Sequence, residues 1–591
     1  MKRKVDFLPV AIKAKGLMDE AAAFVLEHQL KDREMWLKFT ETFSTKEDSE
    51  AGRWRGEYFG KQMRGAVMVY EYTHDEELYE ILTETVLDLL PRQDEWGRFS
   101  TYRVEEEFRG WDMWCRKYVL VGLMYYHSIC RDEALKNRIL AACCKHMDYI
   151  VEKVGDGEGQ IPVTQTSHWW GCVNSCTILE PTVELYKRTG KTEYLAFAKY
   201  IISTGGCNDC NLIELAMNDE LYPYEYPVVK AYEMMSFYEG LVAYYEVTGE
   251  EYYLTVAKRF IEAVAKTDIT IIGCAGCTHE LFDHSAIKQT EYHENIMQET
   301  CVTVTWMRLL SRVYTLTGDV RYIDCFEVSG YNALYGSLNV ELNEQLDMER
   351  NIYREARAFD SYSPLYMNTR GRGIGGCNPF ASGGYAGCCI VIGAAAVALM
   401  PMMAVMQGED GVFINLLTSG VAQVTDEDGK TVMLCLESGY PADGKGKITV
   451  ECEGACRLKL HIRKPVWCET MYVNGEAAQT DGYVLVEGIY QNGASIFVDV
   501  EMRLKAQVLN EKIAFTYGAL TLATDERICS RPLRLPVQVG KELSYRRLPT
   551  EGKWEQVRLS CALCGGEELL LADYQSCGKR WELMTVWFNQ K

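Results

Sequence analysis

The chain has 591 residues, 48% of them apolar and 25% charged, which indicates a globular protein too long for one hydrophobic core. Its net charge of −22 argues against nucleic acid and acidic membranes as partners and leaves a neutral sugar open. No apolar run of signal-peptide or membrane-spanning length is found, so we expect a cytoplasmic protein whose 23 cysteines are mostly reduced thiols.

The first 405 residues are predicted to be helical and repetitive. Three segments share the same order of features: an apolar helix end, a Thr-Gly pair that ends this helix, and a second amphipathic helix. The glycines of these Thr-Gly stops are Gly190, Gly249 and Gly318. Weaker copies turn near residues 74 and 131, so each repeat of about 60 residues is one helical hairpin. With a sixth hairpin closed by the helix after Cys389, residues 1–405 are predicted to form an (α/α)6 barrel. An open helical solenoid is the alternative.

Short alternating strands begin near residue 406 and continue to the end of the chain. We predict a β-sandwich over 406–505 and a second β-rich, sandwich-like domain over 506–591. The pair Asn474-Gly475 predicts a tight hairpin turn inside the first of them.

Two adjacent cysteines, Cys388 and Cys389, follow a glycine-rich stretch and precede an apolar run that we interpret as a buried helix. Adjacent cysteines rarely bridge each other, because the ring is strained. Upstream, Glu299 and Cys301 lie at the entry to a predicted helix. One carboxylate and three thiolates form a plausible tetrahedral Zn²⁺ site, with one pair of ligands from each of two loops.

Other thiol pairs compete for that role, and ordinary buried thiols remain an open explanation for all of them. The competing groups are Cys207 with Cys210, Cys274 with Cys277, and Cys143 and Cys144 with His146.

Several of these segments carry a family resemblance. The strings HELF, MQETC and GYNALYGSL, and the GCC that opens an Ala-rich helix, resemble the β-L-arabinofuranosidase family of retaining glycoside hydrolases, family 127 and its relatives. The resemblance covers most of the chain and implies an (α/α)6 barrel followed by β-sandwiches. It also implies roles for individual residues: zinc ligands Glu299, Cys301, Cys388 and Cys389, the nucleophile Cys388 and the general acid/base Glu280.

These roles are chemically consistent. A thiol attacks only as a thiolate, and zinc keeps bound cysteines deprotonated. Attack by Cys388 on the anomeric carbon would give a thioglycosyl-enzyme, while Glu280 protonates the departing oxygen and then deprotonates water. Because the anomeric carbon is inverted twice, its configuration is retained in the product.

The sugar pocket departs from the family pattern. Ile390-Val391-Ile392 stands where the family has Pro-Pro-Asn, and the sugar-binding histidines of the family fall near Trp111, Ser175 and Ala231. We therefore expect a rebuilt pocket, with aromatic faces to stack on a sugar and carboxylates to accept its hydroxyl protons. The candidates are Glu57, Trp111, Asp112, Glu233 and Tyr362, with the loop His168-Trp169-Trp170 at the rim.

The sequence thus predicts a zinc-dependent retaining glycosidase that acts on a carbohydrate. A non-catalytic or weakly active carbohydrate-binding relative with a structural zinc site is the alternative. A barrel that uses paired carboxylates, as inverting glycosidases and uronyl hydrolases do, would leave the double cysteine without a role. Pairing of exposed β-units into a homodimer stays open.

Overall fold

The computed structural model describes residues 8–276, 278, 280–292, 298–342, 345–347, 352–354, 357–370, 377–529 and 531–591. Within these ranges, helices occupy most of the chain up to Ala404 and β-strands most of the remainder.

Six helices of the described chain form the inner wall of a closed ring, each packed against the next. They are Gly56–Thr73, Asp112–Ile129, Leu179–Thr189, Ala231–Thr248, Thr300–Thr317 and Cys388–Ala404. The last helix packs on the first so closely that a Cβ on Gly65 would lie 2.8 Å from the Cβ of Ala394. The (α/α)6 barrel is therefore confirmed, and the open solenoid is wrong.

Amphipathic helices pack on the outside of this ring. They are Leu17–Val25, Arg33–Thr45, Glu76–Leu89, Glu133–Lys153, Thr192–Ser203, Glu251–Thr267 and Val320–Val328. Shorter helices are Val173–Cys176, Leu212–Asn218, Ser285–Lys288 and Tyr335–Ser337. Gly190, Gly249 and Gly318 end their helices in the left-handed conformation, with φ of 68°, 70° and 67°, as the Thr-Gly stops predicted.

The apolar run after Cys388 forms the helix Cys388–Ala404, in which all residues except Met402 are buried. It is apolar on every side because it packs against both neighbouring inner helices and an outer one. No helix in the described part of the chain is long and apolar enough to cross a membrane.

Two sheets contain the strands between Val405 and Val500. The five-stranded sheet has the order Leu8–Pro9, Val405–Gly408, Gly411–Ile414, Ala455–Lys464 and Gly482–Gln491. The seven-stranded sheet has the order Glu476–Ala477, Met471–Val473, Ser495–Val500, Lys445–Glu451, Thr431–Ser438, Gly420–Thr425 and Ala11–Ala14. The hairpin at Asn474 and Gly475 is confirmed, with φ of 51° and 82°.

The N-terminal strands are a feature that the sequence pattern did not reveal. Leu8–Pro9 pairs with Val405–Gly408, and Ala11–Ala14 pairs with Gly420–Thr425. These residues lie in the range predicted for the barrel, yet their backbone completes both sheets of the following region.

A third sheet contains the strands after residue 503. Its order is Leu504–Leu509, Lys512–Tyr517, Leu520–Asp525, Glu568–Asp573, Arg558–Ala562 and Tyr545–Leu548. Two further strands join it: Met584–Thr585 pairs with Leu520–Asp525, and Phe588–Asn589 pairs with Lys512–Tyr517. This change of sheet lies close to the predicted boundary at residue 505, although the domain limits themselves stay predictions.

All six inner helices point the same way, so the barrel has two different mouths. Five of them contribute residues at or near their first turns to one cavity, and all six contribute residues to a second cavity. The helix Leu179–Thr189 lines only the second cavity. Two short hairpins come between the last two inner helices: Gln345–Asp347 with Ile352–Arg354, and Cys377–Pro379 with Tyr385–Gly387. The second hairpin leads directly into Cys388 at the N-terminal mouth.

Candidate active site

A cavity of about 330 Å³ opens at the N-terminal mouth of the barrel. Its lining combines aromatic rings, four carboxylates, two lysines and one thiol. The lining residues are Ala51, Gly52, Trp54, Glu57, Lys61, Trp111, Trp114, Trp169, Trp170, Lys230, Tyr232, Glu233, Glu280, Glu299 and Cys388. Residues from segments more than 300 positions apart therefore meet in one place.

The first turns of two adjacent inner helices hold the four predicted metal ligands. Glu299 is the N-cap of the helix Thr300–Thr317, and Cys301 lies in its first turn. Cys388 and Cys389 are the first two residues of the helix Cys388–Ala404. Helix N-termini carry a partial positive charge, which stabilises thiolates and carboxylates.

The ligand atoms of these four residues all lie within 4.8 Å of one another. The Cys389 Sγ lies 3.3 Å from Oε1 of Glu299, and the Cys388 Sγ lies 3.8 Å from the same oxygen. Cys301 and Cys389 are fully buried, whereas Cys388 keeps 8% of its surface exposed and faces the cavity. Of the three thiols, Cys388 is the one that a molecule in the cavity can reach.

The protein groups by themselves leave this cluster incompletely satisfied. Oε2 of Glu299 is buried without a hydrogen-bond partner, and burial raises the pKa of this carboxyl to about 8. Hydrogen bonds from Cys301 and Cys389 hold the pKa of the Cys388 thiol well below its usual value. Burial raises the pKa of Cys389 well above the ordinary value.

The cluster fits a tetrahedral metal ion. Thiolate ligands at about 2.3 Å from a tetrahedral Zn²⁺ lie about 3.8 Å apart, and the sulfurs of Cys388 and Cys389 lie 3.8 Å apart. The unpartnered oxygen of Glu299 and the set of three sulfurs and one carboxylate agree with such an ion. The residues present could therefore hold a metal.

The competing thiol groups form no comparable cluster within the described residues. Nδ1 of His146 accepts a hydrogen bond from the backbone N–H of Phe99 at 3.0 Å. Cys277 lies outside the described residues, so its pairing with Cys274 stays a prediction.

Glu280 lines the same cavity as Cys388. Its backbone is held in the left-handed region at φ 64°, and its carbonyl accepts a hydrogen bond from Ala231 N–H at 3.0 Å. Its carboxylate accepts a hydrogen bond from the Tyr362 hydroxyl at 2.9 Å and forms an ion pair with Lys230. Tyr362 thus reaches the site through Glu280 and is not itself part of the cavity lining.

The predicted carboxylates Glu57 and Glu233 both line the cavity. Glu57 is buried, forms an ion pair with Lys61 at 2.9 Å and accepts a hydrogen bond from the Trp114 indole N–H. Burial raises its pKa to about 7. Burial also raises the pKa of Glu233, whose Oε2 has no hydrogen-bond partner and is available to a ligand.

Trp111 and Asp112 are neighbours in sequence with different surroundings. Trp111 lies at the cavity rim, with its ring centroid 5.8 Å from that of Trp54 and stacked at 6.5 Å on Trp169. The predicted rim position of Trp169 and Trp170 agrees with the cavity lining.

Asp112 is not part of the cavity lining, in contrast to the sugar contact that we expected for it. Its carboxylate accepts hydrogen bonds from the Ser100 hydroxyl at 2.5 Å and the Phe108 N–H at 2.8 Å, and it pairs with Arg116 at 2.9 Å. Because Asp112 is the first residue of its helix, its side chain turns back to the preceding loop.

Among the charged and aromatic residues of the cavity, Lys61, Trp114, Lys230 and Tyr232 were not identified from the sequence. Lys61 is buried, with its ammonium 4.5 Å from the ring centroid of Tyr232. The spacing of Glu57 and Lys61, one helical turn apart, was the available signal. Nothing in the sequence pairs Lys230 with Glu280.

Comparison with known proteins gives a consistent picture. The sequence model of the β-L-arabinofuranosidase GH127 catalytic domain matches residues 15–346, and that of the GH127 middle domain matches residues 411–502. No curated protein matches the chain in sequence.

Solved structures share the whole fold. A GH127 β-arabinofuranosidase superimposes with a TM-score of 0.77 at 16% identity, covering 99% of this chain and 98% of its own. A GH127 β-L-arabinofuranosidase from Geobacillus stearothermophilus T6 has a TM-score of 0.73 at 18% identity, covering 98% and 100%. A third structure, described as a glycoside hydrolase, has a TM-score of 0.71 at 16% identity, covering 100% and 98%. At these identities the likeness shows a common fold.

Proposed function

The chain belongs to the GH127 β-L-arabinofuranosidase family of glycoside hydrolases, and from this premise we propose that it is a retaining, zinc-dependent glycosidase with a cysteine nucleophile. Its substrate is a carbohydrate, as for glycoside hydrolases in general. The observation that carries the proposal is the position of Cys388, which belongs both to the four-residue ligand cluster and to the cavity lining.

Glu299, Cys301, Cys388 and Cys389 would hold the zinc ion. When bound, it keeps its cysteine ligands in the thiolate form at neutral pH. Cys301 and Cys389, which are fully buried, anchor the site. Cys388 is the one of the three that reaches the cavity, and this difference favours a catalytic role over a purely structural metal site.

Cys388 is proposed to attack the anomeric carbon of the bound sugar, so that a C–S bond forms as the glycosidic C–O bond breaks. Glu280 gives its proton to the departing oxygen. In the second half of the reaction Glu280 takes a proton from water, whose oxygen displaces Cys388 from the same carbon. The free Cys388 thiolate and the protonated Glu280 are then restored.

Four sets of side chains are proposed to orient these two residues and the sugar. Tyr362 and Lys230 fix the two oxygens of Glu280, so the ion pair with Lys230 must loosen when Glu280 takes up its proton. Glu233, with its free oxygen, accepts a sugar hydroxyl. The rings around Trp111 form the stacking surface for the substrate at the rim.

The pocket is β-L-arabinofuranosidase-like but divergent, because the sequence resemblance places sugar-binding histidines near Trp111, Ser175 and Ala231. We therefore propose that the substrate carries a terminal sugar related to L-arabinofuranose.

The test is a panel of aryl furanosides and pyranosides, followed by NMR of the first-formed product anomer and trapping with a sugar epoxide. We expect hydrolysis with retention, and a single adduct on Cys388. An inverted product, or an adduct on a carboxylate with Cys388 untouched, contradicts the proposal.

A further inference from the structure

The C-x-x-C pair Cys207 and Cys210 lies outside the ligand cluster but directly behind the wall of the catalytic cavity. The two residues belong to the loop between the helices Thr192–Ser203 and Leu212–Asn218. Cys207 is 4% exposed, whereas Cys210 is half-buried. The loop therefore presents one thiol to solvent and holds the other behind it.

The two thiols are three residues apart in one tight loop, which is closed by a hydrogen bond from the Leu212 N–H to the Gly205 carbonyl at 2.9 Å. Cys207 accepts a hydrogen bond from the backbone N–H of Asp209 at 3.4 Å. The neighbouring Cys210 thiol is the main cause that lowers the pKa of Cys207 to about 7. A thiolate next to a second thiol is the arrangement in which oxidation ends in a disulfide.

The same loop supports the tryptophan wall of the cavity. Asn208 N–H donates to the carbonyl of Gly171 at 2.7 Å. A Cβ on Gly171 would lie only 2.5 Å from the sulfur of Cys207, so this sulfur fills the space beside the glycine. Gly171 directly follows Trp170, which lines the cavity.

The wall segment itself is strained. Trp170, Gly171 and Cys172 adopt positive φ values of 51°, 59° and 65° in succession. Side chains other than glycine rarely take this conformation, and it persists only where the surroundings impose it. If the Cys207 sulfur moves away from Gly171, this segment loses one of the contacts that impose its conformation.

We propose that Cys207 and Cys210 form a reversible redox pair whose disulfide repositions the Trp169–Trp170 wall and so changes substrate binding. The oxidant class is a hydroperoxide, with hydrogen peroxide as the smallest member. The Cys207 thiolate attacks one peroxide oxygen, giving Cys207 sulfenic acid and hydroxide. The Cys210 sulfur then attacks the Cys207 sulfur and loses its proton, which gives the disulfide and water. A dithiol reductant restores both thiols.

The experiment treats the zinc-loaded protein with hydrogen peroxide, follows tryptophan fluorescence and maps disulfides by peptide mass spectrometry. Cys210→Ser removes the second thiol of the pair. Cys452→Ser is the matched control, because Cys452 contacts Cys456 in the β-region and neither lines the cavity.

We expect a peptide-level disulfide between Cys207 and Cys210 and a fluorescence change that dithiothreitol reverses. Both are expected in wild type and Cys452→Ser and are lost in Cys210→Ser. With any aryl glycoside that the protein hydrolyses, KM of the oxidised protein should differ from that of the reduced protein on the order of fivefold, while kcat stays the same. A change of this size is typical of modest coupling between two sites. A missing disulfide, or a disulfide that leaves fluorescence and KM unchanged, overturns the proposal. Oxidation of Cys388 is recognised separately, because it would persist in Cys210→Ser.

Discussion

The two mouths of the barrel are built from the same six helices but have opposite chemistry. At the N-terminal mouth, Oε2 of Glu299 and Oε2 of Glu233 have neither a hydrogen bond nor an ion pair among the described residues. At the C-terminal mouth, a cavity of about 400 Å³ is lined by carboxylates that form ion pairs with buried cations. Arg308 pairs with Glu180 at 3.1 Å and with Glu239 at 3.0 Å.

The difference follows from the direction of the helices. Helix N-termini offer unpaired N–H groups and partial positive charge, which suit thiolates, carboxylates and sugar oxygens. Helix C-termini suit cations, and Arg312 lies in the C-terminal half of its helix, with Arg308 at the middle of the same helix. The charged groups of the N-terminal mouth can therefore take part in chemistry. Those of the C-terminal mouth pair with one another and stabilise the closed ring.

The largest effect on activity is expected from Cys388→Ser at the N-terminal mouth. An alcohol is far less nucleophilic than a thiolate at neutral pH, so kcat should fall by about 10³-fold or more. The measurement is kcat/KM on the best aryl glycoside. The control is Cys143→Ser, a buried thiol on an outer helix.

Near-normal turnover by Cys388→Ser would show that the nucleophile is another group, or that no covalent step occurs. Equal losses in Cys388→Ser and Cys143→Ser would point to a general sensitivity of the fold.

Removal of a buried ligand should act through metal content. Cys301→Ala is expected to lower zinc affinity by at least the 10–100-fold typical of disturbed metal sites, and activity should fall with it. Zinc per chain is measured by elemental analysis after dialysis. Added Zn²⁺ should restore part of the rate in Cys389→Ser and none in Cys388→Ser. Undiminished zinc in Cys301→Ala would assign the metal to another thiol pair.

Glu280→Gln should reduce the rate by about 10²-fold on substrates with poor leaving groups, because the departing oxygen then lacks a proton donor. The loss should be smaller for activated aryl leaving groups. A plot of log kcat/KM against leaving-group pKa should therefore be steeper in the variant. Equal slopes would remove Glu280 from the acid role. Glu225→Gln, on an exposed turn outside the cavity, is the matched control.

At the C-terminal mouth the expected effect is on stability and not on kcat. Arg308→Met leaves Glu180 and Glu239 as buried carboxylates without their main partner, which should cost about 3 kcal/mol. Arg321→Met removes exposed ion pairs with Asp319 and Glu262, so it should cost less than about 1 kcal/mol.

The stability of both variants is measured from their urea unfolding midpoints. The kcat of each folded variant should match that of the wild type. A large loss of kcat in Arg308→Met would contradict the separation of the two mouths.

The smallest expected effect is a pH dependence of that stability. Although burial favours the neutral acid, Arg308 and Lys117 hold the pKa of Glu180 at about 2, below its ordinary value of 4.5. A carboxyl whose pKa is lowered on folding stabilises the fold at pH values above its ordinary pKa. This contribution is lost as the pH falls from about 4.5 to about 2. Glu180→Gln should therefore be less stable than wild type at pH 7, and the gap in urea midpoint should narrow below pH 4.5. A constant gap would contradict the depressed pKa.

Much of the architecture was determined by local sequence. The Thr-Gly pairs predicted the helical hairpins, because glycine tolerates the left-handed cap that ends three of the inner helices. Period-two alternation predicted the strands after residue 405. The spacing of Glu299, Cys301 and the double cysteine, read with the family resemblance, predicted the ligand cluster.

Tertiary structure decided what no local pattern contains. Closure of the ring brings Glu57 to Cys388 across more than 300 residues and pairs Lys230 with Glu280. The N-terminal strands join sheets whose other members begin at Val405, because strand pairing depends on a distant partner. Trp111 faces the cavity while Asp112 turns away from it, since the contacts of a helix's first residues depend on the loop that packs against them. Sequence periodicity identifies the elements, but only their packing determines which side chains share a cavity.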